Sequence, residues 1–199
     1  MSTRLPAPAR REQLLAVGLE VFARQGFHGT SMNDVADAAG VTKPVLYQHF
    51  ASKRELYLAL LDEVGRELLE AIAKATAGAL DGRAQTEAGF GAYFRWVDDD
   101  RDAFLLLFGS GARRDEEFAE AVRKVEEAIA EAIEPLIAAD IDAGHRRTLA
   151  HALVGLAEGA SRQLVASGLA FDPELISRQV ADLAWAGLRG VRRVSASPT

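Results

Sequence analysis

Apolar residues return along this chain at intervals of three and four, and no alternating β-branched runs stand between hairpin turns. The pattern predicts helices almost throughout. The first runs from about Arg10 to Gln25, with Leu15, Leu19 and Phe22 aligned on one face. Gly26 is expected to stop it, and Phe27 to fold back on the same core. A short helix follows from Ser31 to Ala39, capped by Thr30 or Ser31, with Asp34 in its first turn and Met32, Val35, Ala36 and Ala39 as its buried stripe. Gly40 supplies the left-handed position that ends it. A third helix begins at Thr42, tolerates Pro44 in its first turn, and ends near His49 and Phe50. Ser52-Lys53-Arg54-Glu55 is a capping box that opens a fourth helix, 52–75, through Leu56, Leu60, Val64 and Leu68.

Beyond Gly78 the stretch AGALDGRAQT reads as a loop. Helices are then expected at 86–97, 101–109, 115–138, 145–167 and 173–192, with a kink or early end at Pro135. Asp172-Pro173-Glu174 is the clearest start signal: a cap, a proline at the first position, then an acid.

With 199 residues, 49% hydrophobic and 26% charged, the chain has an ordinary globular balance and is not a disordered one. It has no cysteine, which excludes disulfides, zinc–thiolate sites and thiol nucleophiles. No apolar run approaches the roughly 18 residues of a membrane span. The beginning, MSTRLPAPARRE, lacks the apolar stretch of a signal peptide, so a cytoplasmic location and no membrane partner are expected. The net charge of −6 is unevenly spread. Residues 1–60 carry seven Lys and Arg against five Asp and Glu, and the excess of acid lies beyond them. A polyanion would meet only the head of the chain.

Two short helices joined by a turn at Gly40, with a helix before them, have the layout of a helix-turn-helix unit. At about 100° per residue, placing Leu46 in the core brings Phe50 and Thr42 near it. Pro44 and Gln48 then point away, flanked by Tyr47 and Val45, with Lys43 and His49 at the borders. Each suits DNA. The Gln48 amide can pair with adenine in the major groove and Val45 can pack on a thymine methyl. Lys43 reaches a guanine edge or a phosphate, and Tyr47, His49, Thr30, Thr42 and Lys53 suit phosphate oxygens. The same spacing also fits a plain three-helix bundle whose third helix packs elsewhere, with Tyr47 a half-buried core residue.

Three stretches narrow the choice: Gly26-Phe27-His28-Gly29-Thr30-Ser31, Val35-Ala36-Asp37-Ala38-Ala39-Gly40-Val41, and Leu46-Tyr47-Gln48-His49-Phe50-Ala51-Ser52-Lys53. Together they resemble the DNA-binding head of the TetR family of bacterial transcriptional regulators. The resemblance covers about the first 60 residues and includes an intact Tyr–X–His–Phe–X–X–Lys spacing. It implies an all-α fold, with a helix-turn-helix DNA-binding domain at 1–52 joined to a helical-bundle domain at 53–199 for effector binding and dimerisation. It implies phosphate contacts by Thr30, Thr42, Lys43, Tyr47, His49 and Lys53, and base contacts by Lys43, Pro44, Val45 and Gln48. Gln48 stands where many relatives have a second aromatic, and Pro44 where glycine is frequent, so no relative's operator transfers to this chain. Arg4, Arg10 and Arg11 are candidates for an arm in an adjacent groove, or for a basic tail of non-specific attraction.

The resemblance also implies a homodimer on a palindromic double-stranded operator, with a four-helix contact from the last two helices. Leu149, Leu153, Leu156 and Leu164, interleaved with Ala152, Gly155, Gly159 and Ala160, and then Leu183, Ala184 and Leu188, are the candidate interface. An intramolecular helix pair has the same pattern. Phe90, Phe94, Trp96, Phe104, Phe108 and Phe118 are candidates for an effector pocket or for an ordinary core. Arg95, Arg113, Arg114 and Arg162 are candidates for an anionic group on an apolar, acyl-like effector. No cofactor is expected. The family mechanism is two-state: a small effector releases a repressor from DNA, or, in the opposite sense, promotes binding, with the fourth helix as the lever.

An enzyme is not expected. No Glu-x-x-His pair, G-x-S-x-G, phosphate loop or G-x-G-x-x-G run occurs, and His145 and His151 are poorly spaced as ligands. The remaining rival is a protein–protein adaptor that docks the 41–50 helix in a partner groove.

Overall fold

The computed structural model describes residues 6–109, 114–137 and 139–191. Their nine helices are α1 (Ala7–Gly29), α2 (Met32–Ala38), α3 (Lys43–Tyr47), α4 (Lys53–Thr76), α5 (Gly82–Asp99), α6 (Arg101–Phe108), α7 (Glu116–Ile133), α8 (Ala143–Ser167) and α9 (Pro173–Gly190). A 3-10 turn at Glu134–Leu136 follows α7, and no strand occurs among the described residues. The all-α fold is as expected. Two compact units divide the chain. One takes the residues up to Gly65 together with Asp102–Val122; the other takes Arg66–Arg101 together with the residues from Arg123 on.

In the first unit α1 starts at Ala7, three residues before the expected point, because Pro8 falls in its first turn, where a missing N–H is harmless. That places Arg10 and Arg11 on a helix and not in an arm. Arg10 pairs with Gln13, and the Arg11 guanidinium lies 5.3 Å over the Phe50 ring. Arg4 and Arg113 lie outside the described residues. Gly26 breaks the helix at φ 70°, as expected, though one further turn runs on to Gly29. Leu14, Leu15, Val21 and Phe22 of α1 are buried together with Val35, Leu46, Phe50, Leu56 and Leu60. Gly18 allows a close approach to α4, since a Cβ there would lie 3.4 Å from Leu60 Cδ1.

An aromatic group completes this core. Phe27 meets Tyr57 at 5.2 Å and Phe118 at 4.7 Å, and Tyr57 meets Phe118 at 4.5 Å. Phe118 is therefore packed inside the first unit, against Phe27 and Tyr57. Phe104 and Phe108, 5.4 Å apart, are buried in the same unit.

Asp115 does two jobs at the start of α7. Its Oδ1 accepts from the Glu117 and Phe118 backbone N–H groups, and both carboxylate oxygens accept from Arg54, at 2.9 and 2.7 Å. Arg54 also pairs with Glu117 at 2.7 Å and lies 4.8 Å over the Phe118 ring. The Arg54 hydrogen bonds hold the Asp115 carboxyl down at about 2. A depressed carboxyl stabilises the fold above its unfolded pKa, and that contribution disappears as pH falls through its folded value. The melting-temperature advantage of the wild type over Asp115→Asn should therefore be full at pH 5 and shrink between pH 4 and pH 2. An advantage constant over that range would show that the ion pair does not contribute.

In the second unit α5 lies along α9 and touches α8. It starts at Gly82, so the expected loop is cut short: the Asp81 carboxylate caps the Ala84 N–H at 2.8 Å, and Arg83 pairs with Glu87 one turn on. Pro135 ends α7, and the chain continues as the 3-10 turn. Arg146 of α8 then ties down the irregular segment by donating to the carbonyls of Ile137, Ala139 and Ile141. Ala130, Ile137, Ile141 and Ala150 form a buried cluster there, with Leu149, Leu153 and Leu188 packed against it.

Candidate nucleic-acid interface

The interface is built from α2, the turn after it, and α3. Ser31 closes the capping box: its Oγ accepts from the Asp34 N–H at 3.2 Å, and Asp34 accepts from the Ser31 N–H at 2.7 Å. The Ser31 hydroxyl, which donates to the Asp34 carboxylate at 2.7 Å, and the Ser31 N–H together lower the Asp34 pKa. At the other end, Val41 N–H donates to Ala36 and Gly40 N–H to Asp37, the paired bonds of a Schellman turn, with Gly40 at φ 63°. Met32, Val35, Ala36 and Ala39 are buried, which fixes the face α2 turns inward. The Gln13 side chain adds a hydrogen bond from α1 to the Ala39 carbonyl at 3.4 Å.

On α3, Leu46 is fully buried and Phe50 1% exposed, so the helix is anchored along one side. Thr42, Lys43, Pro44, Tyr47 and Gln48 are exposed, and Val45 and His49 half-buried. The structure thus gathers seven of the nine expected contact residues on one short outward surface. The Lys43 ammonium lies 5.8 Å from the Tyr47 ring. Thr42 occupies the cap position but makes no side-chain cap bond.

Two residues behave differently. Thr30 is 2% exposed, and its hydroxyl donates to the Gly26 carbonyl at 2.9 Å, so it closes the break in α1 and is not presented outward. Lys53 Nζ donates to the carbonyls of Phe27 and Thr30 at 2.6 and 2.7 Å and lies 4.4 Å over the Phe27 ring. It pins the end of α1 to the start of α4, leaving one donor for an outside acceptor. Its carbonyl partners are 26 and 23 positions away, beyond any local motif. At the start of α4, Ser52 Oγ accepts from Glu55 N–H, and the Glu55 carboxylate reaches back to the Ala51 N–H.

The other candidates lie in the second unit. Phe90 and Phe94 stack at 6.4 Å, and Trp96 approaches Tyr93 at 6.2 Å. Arg95 pairs with Glu174, and Arg162 with Glu158. Of the expected interface, Ala184 is 7% exposed and faces its own core, and Leu149, Leu153 and Leu188 lean on the cluster around Ile137. Leu156, Ala160 and Leu164 are half-buried. Gly159 is exposed, as are Ala152 and Gly155 on the same side of α8 and Leu183, Ala186 and Gly187 on α9. A Cβ added at Gly155, Gly159 or Gly187 would meet nothing within 4 Å.

Residues 14–60 match the family model for bacterial regulatory proteins of the tetR family, and residues 83–187 match that of the tetracyclin repressor-like C-terminal domain. The transcriptional activator FasR of Mycolicibacterium smegmatis is 34% identical over 190 residues, 94% of this chain and 87% of its own. The transcriptional repressor KstR2 of Rhodococcus jostii is 33% identical over 101 residues, 49% of this chain and 48% of its own. A TetR-like regulator from Rhodococcus sp. RHA1 superimposes with a TM-score of 0.78 at 28% identity, covering 94% of this chain and all of the other. The regulator FadR of Bacillus subtilis, solved with stearoyl-CoA, shares the fold, with a TM-score of 0.77 at 15% identity over 91% of this chain and 99% of its own. These relatives are transcriptional regulators and not enzymes.

Proposed function

Because the chain belongs to the TetR family of bacterial regulatory proteins, we propose that it binds a palindromic operator as a homodimer and is released from it by a long-chain acyl thioester. The observation that carries the DNA contact is the outward row of α3, where Lys43, Pro44, Tyr47 and Gln48 are exposed while Leu46 and Phe50 hold the helix from behind. Gln48 and Val45 read bases. Lys43, Thr42, Tyr47 and His49 hold phosphates, and Lys53 does so with its remaining donor. Residues 1–52 form the DNA-binding domain and residues 53–199 the sensing and dimerising one.

The dimer contact runs through the exposed row Ala152–Gly155–Gly159 of α8, beside half-buried Leu156, and through Leu183, Ala186 and Gly187 of α9, where small side chains permit close helix approach. The effector lies in the second unit beside Phe90, Phe94 and Trp96. Support for an acyl thioester comes from that aromatic lining and from a solved structure of the same fold that holds stearoyl-CoA. Moving the operator-bound fraction from 99% to 1% needs about 5.5 kcal/mol of differential affinity. Helix α4, whose residues belong to both units, transmits it. Release switches a gene on where the bound dimer blocks a promoter, and off where it recruits polymerase. The operator's position sets the sign.

The test is a gel-shift titration on an operator selected by the purified protein. Stearoyl-CoA should dissociate the complex, and Gln48→Ala should relax preference at one base position in each half-site, at about 1–3 kcal/mol. A base-substitution profile identical for Gln48→Ala and wild type would remove Gln48 from the readout. A complex indifferent to acyl thioesters would remove the effector. An adaptor docking through α3 would bind its partner with little dependence on salt, whereas operator affinity must fall steeply as salt rises.

A further inference from the structure

Two buried hydroxyls in the second unit lie side by side with no partner of normal geometry elsewhere among the described residues. Tyr93 of α5 is 5% exposed and Ser161 of α8 fully buried, yet neither Tyr93 Oη nor Ser161 Oγ has a hydrogen-bond partner among the described residues. The buried threonines behave otherwise. Thr30 donates to Gly26 and Thr76 to Ile72, each four residues back along the chain. Ser161 had the same choice on α8 and does not take it. Its side chain instead neighbours the Tyr93 phenol without reaching bonding geometry. Leaving buried hydroxyls unmet is destabilising, so a pair of them facing each other across two helices marks a place kept for a third group.

The surroundings state which group. Burial, above all, pushes the Tyr93 phenol well above its ordinary range, so it remains a protonated donor. Glu158, Arg162 and Glu126 act on Tyr93 from nearby, and Arg162 is paired to Glu158. Burial of both hydroxyls disfavours an anion there. The wall beside them is aromatic: Phe94 meets Tyr93 edge-on at 5.4 Å, Trp96 lies at 6.2 Å, and Phe90 stacks on Phe94. The guest is therefore a neutral hydrogen-bond acceptor attached to an apolar chain.

We propose that Tyr93 and Ser161 form the polar subsite of the effector site and receive the thioester carbonyl oxygen of the acyl effector. This rests on the effector reading above and assigns the two side chains that tell a carbonyl-bearing chain from a plain hydrocarbon one.

The experiment compares stearoyl-CoA with S-octadecyl-CoA, a thioether of the same length without the carbonyl. Both are titrated into the full-length wild type and the Tyr93→Phe, Ser161→Ala double variant. The wild type should bind the thioester about ten-fold more tightly than the thioether. The double variant should bind both equally, at the thioether level, and its ligand-free melting temperature should stay close to the wild type's, because neither hydroxyl bonds to the rest of the described fold. An unchanged thioester preference in the double variant overturns the subsite and leaves the effector reading standing. A wild type that binds stearoyl-CoA with no preference over the thioether also overturns the subsite alone. Failure of the wild type to bind either compound overturns both.

Discussion

Gly155→Glu combined with Gly159→Glu should give a folded monomer whose operator affinity is lower by about three orders of magnitude, the scale that separates specific from non-specific binding. Both glycines are exposed on α8, and an added Cβ meets nothing within 4 Å, so neither substitution disturbs the single chain. Replacing glycine inside a helix even favours that helix. In a symmetric contact the same row of one subunit faces that row of its partner, so two added carboxylates per chain confront each other across the axis. A lone recognition helix then reads only half of the palindrome. Sedimentation gives the oligomeric state, circular dichroism the retained helix content, and gel shift the affinity. A variant that stays dimeric and binds fully would move the contact away from this row.

Phe118→Ala should cost about 3–5 kcal/mol of unfolding free energy, the range for removing a large aromatic from a packed core. Phe118 is 1% exposed and touches the rings of Phe27 and Tyr57, with the Arg54 guanidinium over its face. The substitution empties the middle of that group and removes the ring beneath the Arg54 guanidinium. Because Phe27 lies one residue past the break in α1, the loss should reach the helix-turn-helix. Operator binding near room temperature should fall more for Phe118→Ala than for Phe90→Ala, whose ring lies in the other unit. Denaturant melts check the first statement. A cost below about 1 kcal/mol would mean that the aromatic group contributes little.

The helix-turn-helix was legible because its determinants are local. The Ser31–Asp34 box, the Gly40 turn and the Leu46–Phe50 spacing each involve residues within five positions, and the outward set on α3 follows from Leu46 facing in. Long-range packing was not legible. Thr30 looks like a polar surface residue until its hydroxyl is seen on the Gly26 carbonyl. Lys53 looks like a phosphate ligand, and the carbonyls it holds come from a distant helix end. Six large apolar residues between 90 and 118 read as one cluster, because sequence proximity says nothing about which unit each side chain joins. Phe104, Phe108 and Phe118 belong to the first unit, and Phe90, Phe94 and Trp96 to the second. On α8 and α9 the row proposed for the dimer and the internal seam share the same spacing, and only exposure separates Gly159 and Leu183 from Ala184 and Leu153.

The most direct measurement is hydroxyl-radical footprinting of the full-length protein at low salt, without effector, on a duplex it has selected from random DNA. Two protected patches related by a two-fold axis, with centres one helical turn or a multiple of it apart, and lost together in Gly155→Glu, Gly159→Glu, are the predicted result. A single asymmetric patch, or no duplex retained at all, would contradict a pair of α3 helices seated in one groove face.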